Sequence, residues 1–219
     1  MRYKFYREHK YVSAAVNDVE RLIAKTDFRV RAEVEKVKHE FDALVGMLKG
    51  HAHYENDALH SLLKKKNSAV YMQIEDDHKE YDETLANLDR LLTKAMESAS
   101  EKEQVENGYQ FYLWFRKFAG DNLLHLHEEE TIILPELQRL YSDEELREVE
   151  AKTYKVMTAQ ELVEMMEVLF PHMNPSDHEA FLSDIKCCEP EKFAQAWVGI
   201  QARLEPRERD AVAKKLGIV

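Results

Sequence analysis

Cysteine, glycine and proline are scarce in this 219-residue chain, and no apolar run approaches the length of a membrane-spanning helix. The two cysteines, Cys187 and Cys188, are adjacent, which excludes a disulfide framework, since a bridge between neighbours is strained. The amino terminus lacks the apolar core of a secretion signal. We therefore expect a cytoplasmic protein without a membrane segment.

Positive charge is also in deficit. The 31 Lys and Arg residues face 42 Asp and Glu residues, which gives a net charge of −11. A charge of this sign repels nucleic acid and anionic membranes, so we expect neither as a partner. With 6 glycines and 5 prolines, few residues interrupt long periodic segments. The composition favours an all-helical globular protein.

The chain has instead apolar residues spaced three and four apart, the pattern of amphipathic helices. The first two stripes predict helices over residues 4–25 and 28–66. The third stripe runs from Val70 to Leu92, and the fourth from Phe111 to Ile133. Each apolar stripe contains one histidine, and the second and fourth add a glutamate one helical turn later. The six residues are His9, His51, Glu55, His78, His125 and Glu129.

The positions of the polar breaks test whether these residues share one level in an up-down-up-down bundle. The midpoint between the second and third histidines falls within Lys64–Ser68, and the next midpoint falls within Ser98–Gln104. The first midpoint lies about one helical turn past Thr26–Asp27, which a longer loop absorbs. We predict an all-α four-helix bundle with the six side chains at matched depth.

Imidazoles and carboxylates that converge in a bundle core indicate a bound cation. A buried carboxylate without compensation costs several kcal/mol, and no Lys or Arg lies beside the glutamates on these stripes. Mixed nitrogen and oxygen ligands suit iron, manganese or zinc, and two bridging carboxylates favour a two-metal site.

On these residues, positions 1 to about 140 resemble the hemerythrin-like HHE cation-binding domain family. The family pattern is a His on helix 1, His-x-x-x-Glu on helix 2, a His on helix 3 and His-x-x-x-Glu on helix 4. An aliphatic segment and often a proline follow, here ending at Leu134–Pro135.

The resemblance implies a non-haem di-iron centre, bridged by Glu55, Glu129 and an oxo or hydroxo group, with zinc or manganese as substitutes. Its small-molecule ligand is then dioxygen, peroxide or nitric oxide. Oxygen-carrying hemerythrins have a second histidine on helix 3, where this chain has Asp82, either an acidic ligand or a lost one. This departure favours redox reaction or sensing over reversible oxygen carriage.

Three functions stay open at this point. The leading hypothesis is a di-iron protein that binds or senses dioxygen or a related small oxidant. The second is a di-iron enzyme that handles peroxide or nitric oxide or repairs iron centres, and the third is a metal-stabilised interaction module. A ferritin-like site is disfavoured because it needs Glu-x-x-His twice, and only Glu75 to His78 fits.

Residues 142–219 are predicted to form a helical extension beyond a bundle domain of residues 1–141. Ser142 and Thr158 each precede a helix as a cap. Three shorter helices, each opened by a proline or a cap, are predicted at about Ser176–Cys187, Pro190–Leu204 and Pro206–Leu216. The extension resembles the helices that follow the bundle in some bacterial hemerythrin-like proteins. If the protein has a protein partner, we expect it to bind through these carboxyl-terminal helices.

Overall fold

The computed structural model describes residues 2–218, and the side chains of these residues except 72–80. The described residues form helices without a strand, as the sequence predicts. None of these helices is long and apolar enough to cross a membrane. The α-helices are α1 (His9–Lys25), α2 (Arg31–Tyr54), α3 (Ser61–Lys65), α4 (Ala69–Glu97), α5 (Glu101–Glu128), α6 (Leu134–Leu140), α7 (Asp143–Val156), α8 (Ala159–Leu169), α9 (Pro175–Cys188), α10 (Pro190–Gln201) and α11 (Pro206–Lys215).

The bundle turns at the three polar breaks that the sequence indicates. Ser68 and Ser100 cap α4 and α5, since each side chain accepts a hydrogen bond from a backbone N–H of the first turn. The first helix begins at His9, five residues later than predicted. Tyr6 has a φ of 71°, a left-handed conformation that interrupts a right-handed helix.

Two π-helical segments interrupt the bundle helices. The first π segment, Glu55–His60, joins α2 to α3, and the second π segment, Glu129–Ile133, joins α5 to α6. Each segment begins at a glutamate that the sequence selects as a metal ligand. Because π-helical turns are rare and are frequently found at functional sites, the two segments indicate a functional site near Glu55 and Glu129.

The carboxyl-terminal helices begin where capping chemistry predicts. Ser142, Thr158 and Asn174 each form a capping box, in which the cap side chain and the third helical residue bond to each other's backbone N–H groups. Proline occupies the first turn of α9, α10 and α11, where its missing N–H costs nothing.

The chain divides into two compact units, Val12–Glu136 and Met1–Tyr11 with Leu137–Val219. The first unit has a core of aliphatic side chains with Phe41, Phe111 and Phe115 at its centre. The second has its own core, around Phe181, Phe193 and Trp197. The predicted domain division after residue 141 stays a prediction.

Candidate metal centre

His51 and Glu55 lie one turn apart at the junction of α2 and the first π segment. His51 Nε2 is 3.1 Å from Glu55 Oε1, and the Glu55 side chain is almost completely buried. Two residues along, His53 is exposed and contacts Asp57 at the surface. Helical geometry thus directs one of the two neighbouring histidines inward, as predicted.

His125 and Glu129 repeat this arrangement where α5 meets the second π segment. His125 Nε2 is 3.4 Å from Glu129 Oε1, and Glu129 has no exposed surface. His127 is exposed. The His-x-x-x-Glu spacing therefore delivers a buried carboxylate and an adjacent imidazole from both helices.

Three of the six predicted ligands lie together within the Val12–Glu136 unit. His51, Glu55 and Glu129 each offer one ligand atom, and these atoms all lie within 4.8 Å of one another. His9 is the buried first residue of α1 and belongs to the other unit. Two carboxylates and an imidazole this close form a ligand set that suits a transition-metal cation.

His125 and His78 have different outcomes. His125 is not in that group, although it contacts Glu129. His78 lies in the segment 72–80, outside the described side chains. Asp82, which follows that segment, is exposed, so its carboxylate does not occupy the place of a buried ligand.

His60 also lies near these carboxylates, although the apolar periodicity of the sequence does not indicate it. It ends the first π segment, is as buried as Glu55, and its Nε2 lies 4.0 Å from Glu129 Oε1. On an α-helix, a residue five positions after Glu55 faces about 140° away from it. Only recognition of a π segment at this point would have indicated His60.

Tyr81 and Asn122 border the carboxylates. The Asn122 side-chain amide donates a hydrogen bond to Tyr81 Oη over 2.8 Å, and the Tyr81 ring lies 6.0 Å from the His125 ring. Burial raises the pKa of the Tyr81 phenol, and the charges of Glu55 and Glu129 raise it further. Tyr81 therefore keeps its hydroxyl proton at neutral pH and can donate it in a hydrogen bond.

A cavity of about 260 Å³ adjoins this border, between α4 and α5. Tyr81 and His125 line it, so the cavity leads to the side chains that border Glu129. The remaining lining is a mixture of polar and apolar side chains: Thr84, Lys117, Phe118, Asp121, Leu124 and Glu128. The cavity is large enough for a small molecule beside the candidate ligands.

The model of the hemerythrin HHE cation-binding domain matches residues 1–137, more than half of the chain. The chain belongs to this family. The hemerythrin domain includes all six predicted ligands and His60. Its cation-binding function agrees with the buried His and Glu cluster.

The chain is also similar to part of some much larger proteins. F-box/LRR-repeat protein 5 of Danio rerio is 30% identical over 102 residues, which are 46% of this chain and 14% of the relative. The protein of the same name from Mus musculus is 25% identical over 131 residues, 59% of this chain and 18% of the relative. The chain thus spans less than a fifth of these relatives. No solved structure matches.

Proposed function

We propose that the chain is a non-haem di-iron protein that binds or senses dioxygen or a related small oxidant. The observation that carries this proposal is the placement of Glu55 and Glu129, two buried carboxylates, whose ligand atoms lie within 4.8 Å of each other and of a His51 ligand atom. Burial of two such groups side by side is costly unless a cation compensates their charge. Two carboxylates from different helices are also the groups that bridge paired metals in helical bundles.

The residues present suit a pair of iron ions. His9, His51 and Glu55 supply ligand atoms from the first two bundle helices, and His125 with Glu129 supplies them from the fourth. His78 is the proposed ligand on the third. When bound, an iron pair supplies one-electron chemistry toward dioxygen and related oxidants.

The protein's own contribution is shielding and orientation. The cavity beside His125 admits a small molecule, and the Phe118 ring makes part of its wall apolar. The Tyr81 hydroxyl, held by Asn122, keeps a proton that it can donate to a ligand entering from the cavity. Exposed Asp82 stands where oxygen carriers have a second histidine, which favours sensing or redox reaction over carriage.

The test is the metal content per chain together with the ultraviolet–visible spectrum of protein purified with iron. We expect about two irons per chain and a near-ultraviolet absorption that disappears on reduction and returns in air. Glu129→Gln should lose iron. Glu130→Gln, the same substitution at an exposed neighbouring residue, should retain it. One zinc, or no metal, would overturn the di-iron proposal.

A second measurement separates sensing from carriage and turnover. A stable, slowly autoxidising dioxygen adduct would identify a carrier and overturn the sensing proposal. Steady consumption of peroxide or nitric oxide with an electron donor would instead identify an enzyme that uses the same ligands.

A further inference from the structure

The first π segment brings His60 to a place that an α-helix would not give it. In a regular helix, five residues rotate the chain by about 500°, so His60 would lie about 140° from the direction of Glu55. The π segment spans Glu55–His60 and has buried residues at both ends. It therefore adds a second buried polar side chain on the core side of the same helix.

The position of the His60 ring agrees with coordination of a metal. Its Nε2 lies 4.0 Å from Glu129 Oε1. Metal–nitrogen and metal–oxygen bonds of about 2.0–2.2 Å allow ligand atoms on opposite sides of one ion to be about 4.2 Å apart. The separation is too long for a hydrogen bond and fits a shared cation.

The other ring nitrogen of His60 has a hydrogen-bond partner of the kind that orients metal-binding histidines. His60 Nδ1 lies 3.2 Å from Asn56 Oδ1, one turn earlier on the same segment. Because an amide oxygen only accepts, Nδ1 carries the proton in this contact and Nε2 presents its lone pair. Such a second hydrogen bond fixes the tautomer and the ring orientation of histidines that ligate metals.

We propose that His60 is an additional metal ligand, binding through Nε2 to the ion that Glu129 also holds. The pattern that identifies the family has no ligand at this position. In this chain, His60 supplies from the second bundle helix a histidine that is absent at Asp82 on the third. This inference rests on the proposed metal-binding function and specifies one of its ligands.

The experiment measures the affinity of the protein for iron and for Co²⁺ by competition with a chelator. The visible absorption of bound Co²⁺ also reports the number and type of its ligands. We expect His60→Gln to weaken binding of one metal ion by at least about 100-fold and to change the Co²⁺ spectrum. Asn56→Ala keeps the ring but removes its orienting partner, and we expect about 10–100-fold weaker binding. His53→Gln, an exposed histidine on the same helix, should bind as the wild type does.

The outcomes distinguish this inference from the proposed function. If the wild type binds two metals and both His60→Gln and Asn56→Ala retain its affinity and spectrum, His60 is a structural residue and only this inference fails. If the wild type binds no metal, both proposals fail. Should His60→Gln not fold by circular dichroism, Asn56→Ala decides, because a purely structural His60 predicts unchanged metal affinity for that variant.

Discussion

The phenol of Tyr3 donates a hydrogen bond over 2.5 Å to the carboxylate of Glu150, a residue buried on α7. Tyr154 donates to the same oxygen over 3.1 Å. Burial raises the pKa of Glu150 to about 7, although the hydrogen bond from Tyr3 opposes this shift. A carboxyl group outside the metal centre thus titrates in the neutral range, which makes stability depend on pH.

The direction of this dependence follows from the raised pKa. Below pH 4.5, Glu150 is protonated in both the folded and the unfolded chain, and folding bears no penalty. Between pH 4.5 and about 7, only the unfolded chain releases the proton. The free energy of unfolding therefore falls as the pH rises through this window, by roughly 3 kcal/mol for this group.

Glu150→Gln should reduce that fall, because an amide oxygen still accepts from both tyrosines but does not ionise. We expect the variant to be more stable than the wild type at pH 8, by roughly 1–3 kcal/mol, and similar at pH 4.5. Urea unfolding of the metal-free protein from pH 4.5 to 8 measures this. Glu148→Gln, at an exposed position on the same helix, is the control. An unchanged pH slope in Glu150→Gln would contradict the assignment.

A close approach between Phe28 and Gly108 gives a second prediction. A Cβ atom added at Gly108 on α5 would lie 2.2 Å from Phe28 Cγ and 2.4 Å from Phe28 Cδ2, and Phe28 is itself buried. Gly108→Ala must therefore displace that ring, and we expect a loss of about 1–3 kcal/mol. Gly120 lies on the same helix, and its added Cβ meets no atom within 4 Å.

Gly120→Ala is the matched variant, since it makes the same chemical change without the collision. It should raise stability by up to about 1 kcal/mol, because alanine loses less backbone entropy in a helix. Both variants are compared by urea unfolding followed by circular dichroism. Equal effects of the two substitutions would show that Phe28 moves away without cost.

The sequence predicts the bundle well because its signals are local. Apolar spacing, polar breaks and capping residues such as Ser142 and Thr158 act within a few residues of where they are read. The family match likewise confirms the predicted resemblance. Alternation of neighbouring histidines, His51 inward and His53 outward, also follows from helical geometry alone.

The parts that escape prediction depend on tertiary packing. The π segments change which residues share a face, so periodicity calculated for an α-helix misses His60. The left-handed backbone at Tyr6 delays α1, and a helical stripe extended through residues 4–8 does not reveal it. The hydrogen bond that Tyr3 donates to buried Glu150 joins residues 147 positions apart, which no local pattern indicates.

Metal removal should lower the melting temperature, because a metal that binds only the folded chain stabilises it by mass action. With free iron at about 100 times its dissociation constant, the gain is about 2.7 kcal/mol. For a chain of this size, that corresponds to roughly 5–10 °C. Calorimetry under anaerobic conditions, with and without chelator, measures it. His51→Gln should lose this difference and His53→Gln should keep it.

His178 belongs to the unit that contains α7 to α11. The ring is buried on α9, with Nδ1 2.5 Å from Glu208 Oε1 on α11 and Nε2 3.0 Å from the Phe170 carbonyl oxygen. It also stacks on the Phe170 ring at 4.1 Å. One side chain therefore connects α9 to α11 and to the segment that follows α8.

His178→Ala removes these contacts and leaves the buried part of the Glu208 carboxylate without its imidazole partner. We expect a loss of about 2–4 kcal/mol and faster hydrogen exchange in Pro206–Lys215, where Val212 is the buried residue and Ala213 is partly buried. His172→Ala, at a half-buried histidine near Tyr11, is the control and should alter exchange there little. Because His178 is not a proposed ligand, iron content should stay at the wild-type level. Unchanged exchange in α11 would show that the Glu208 contact does not hold this helix in place.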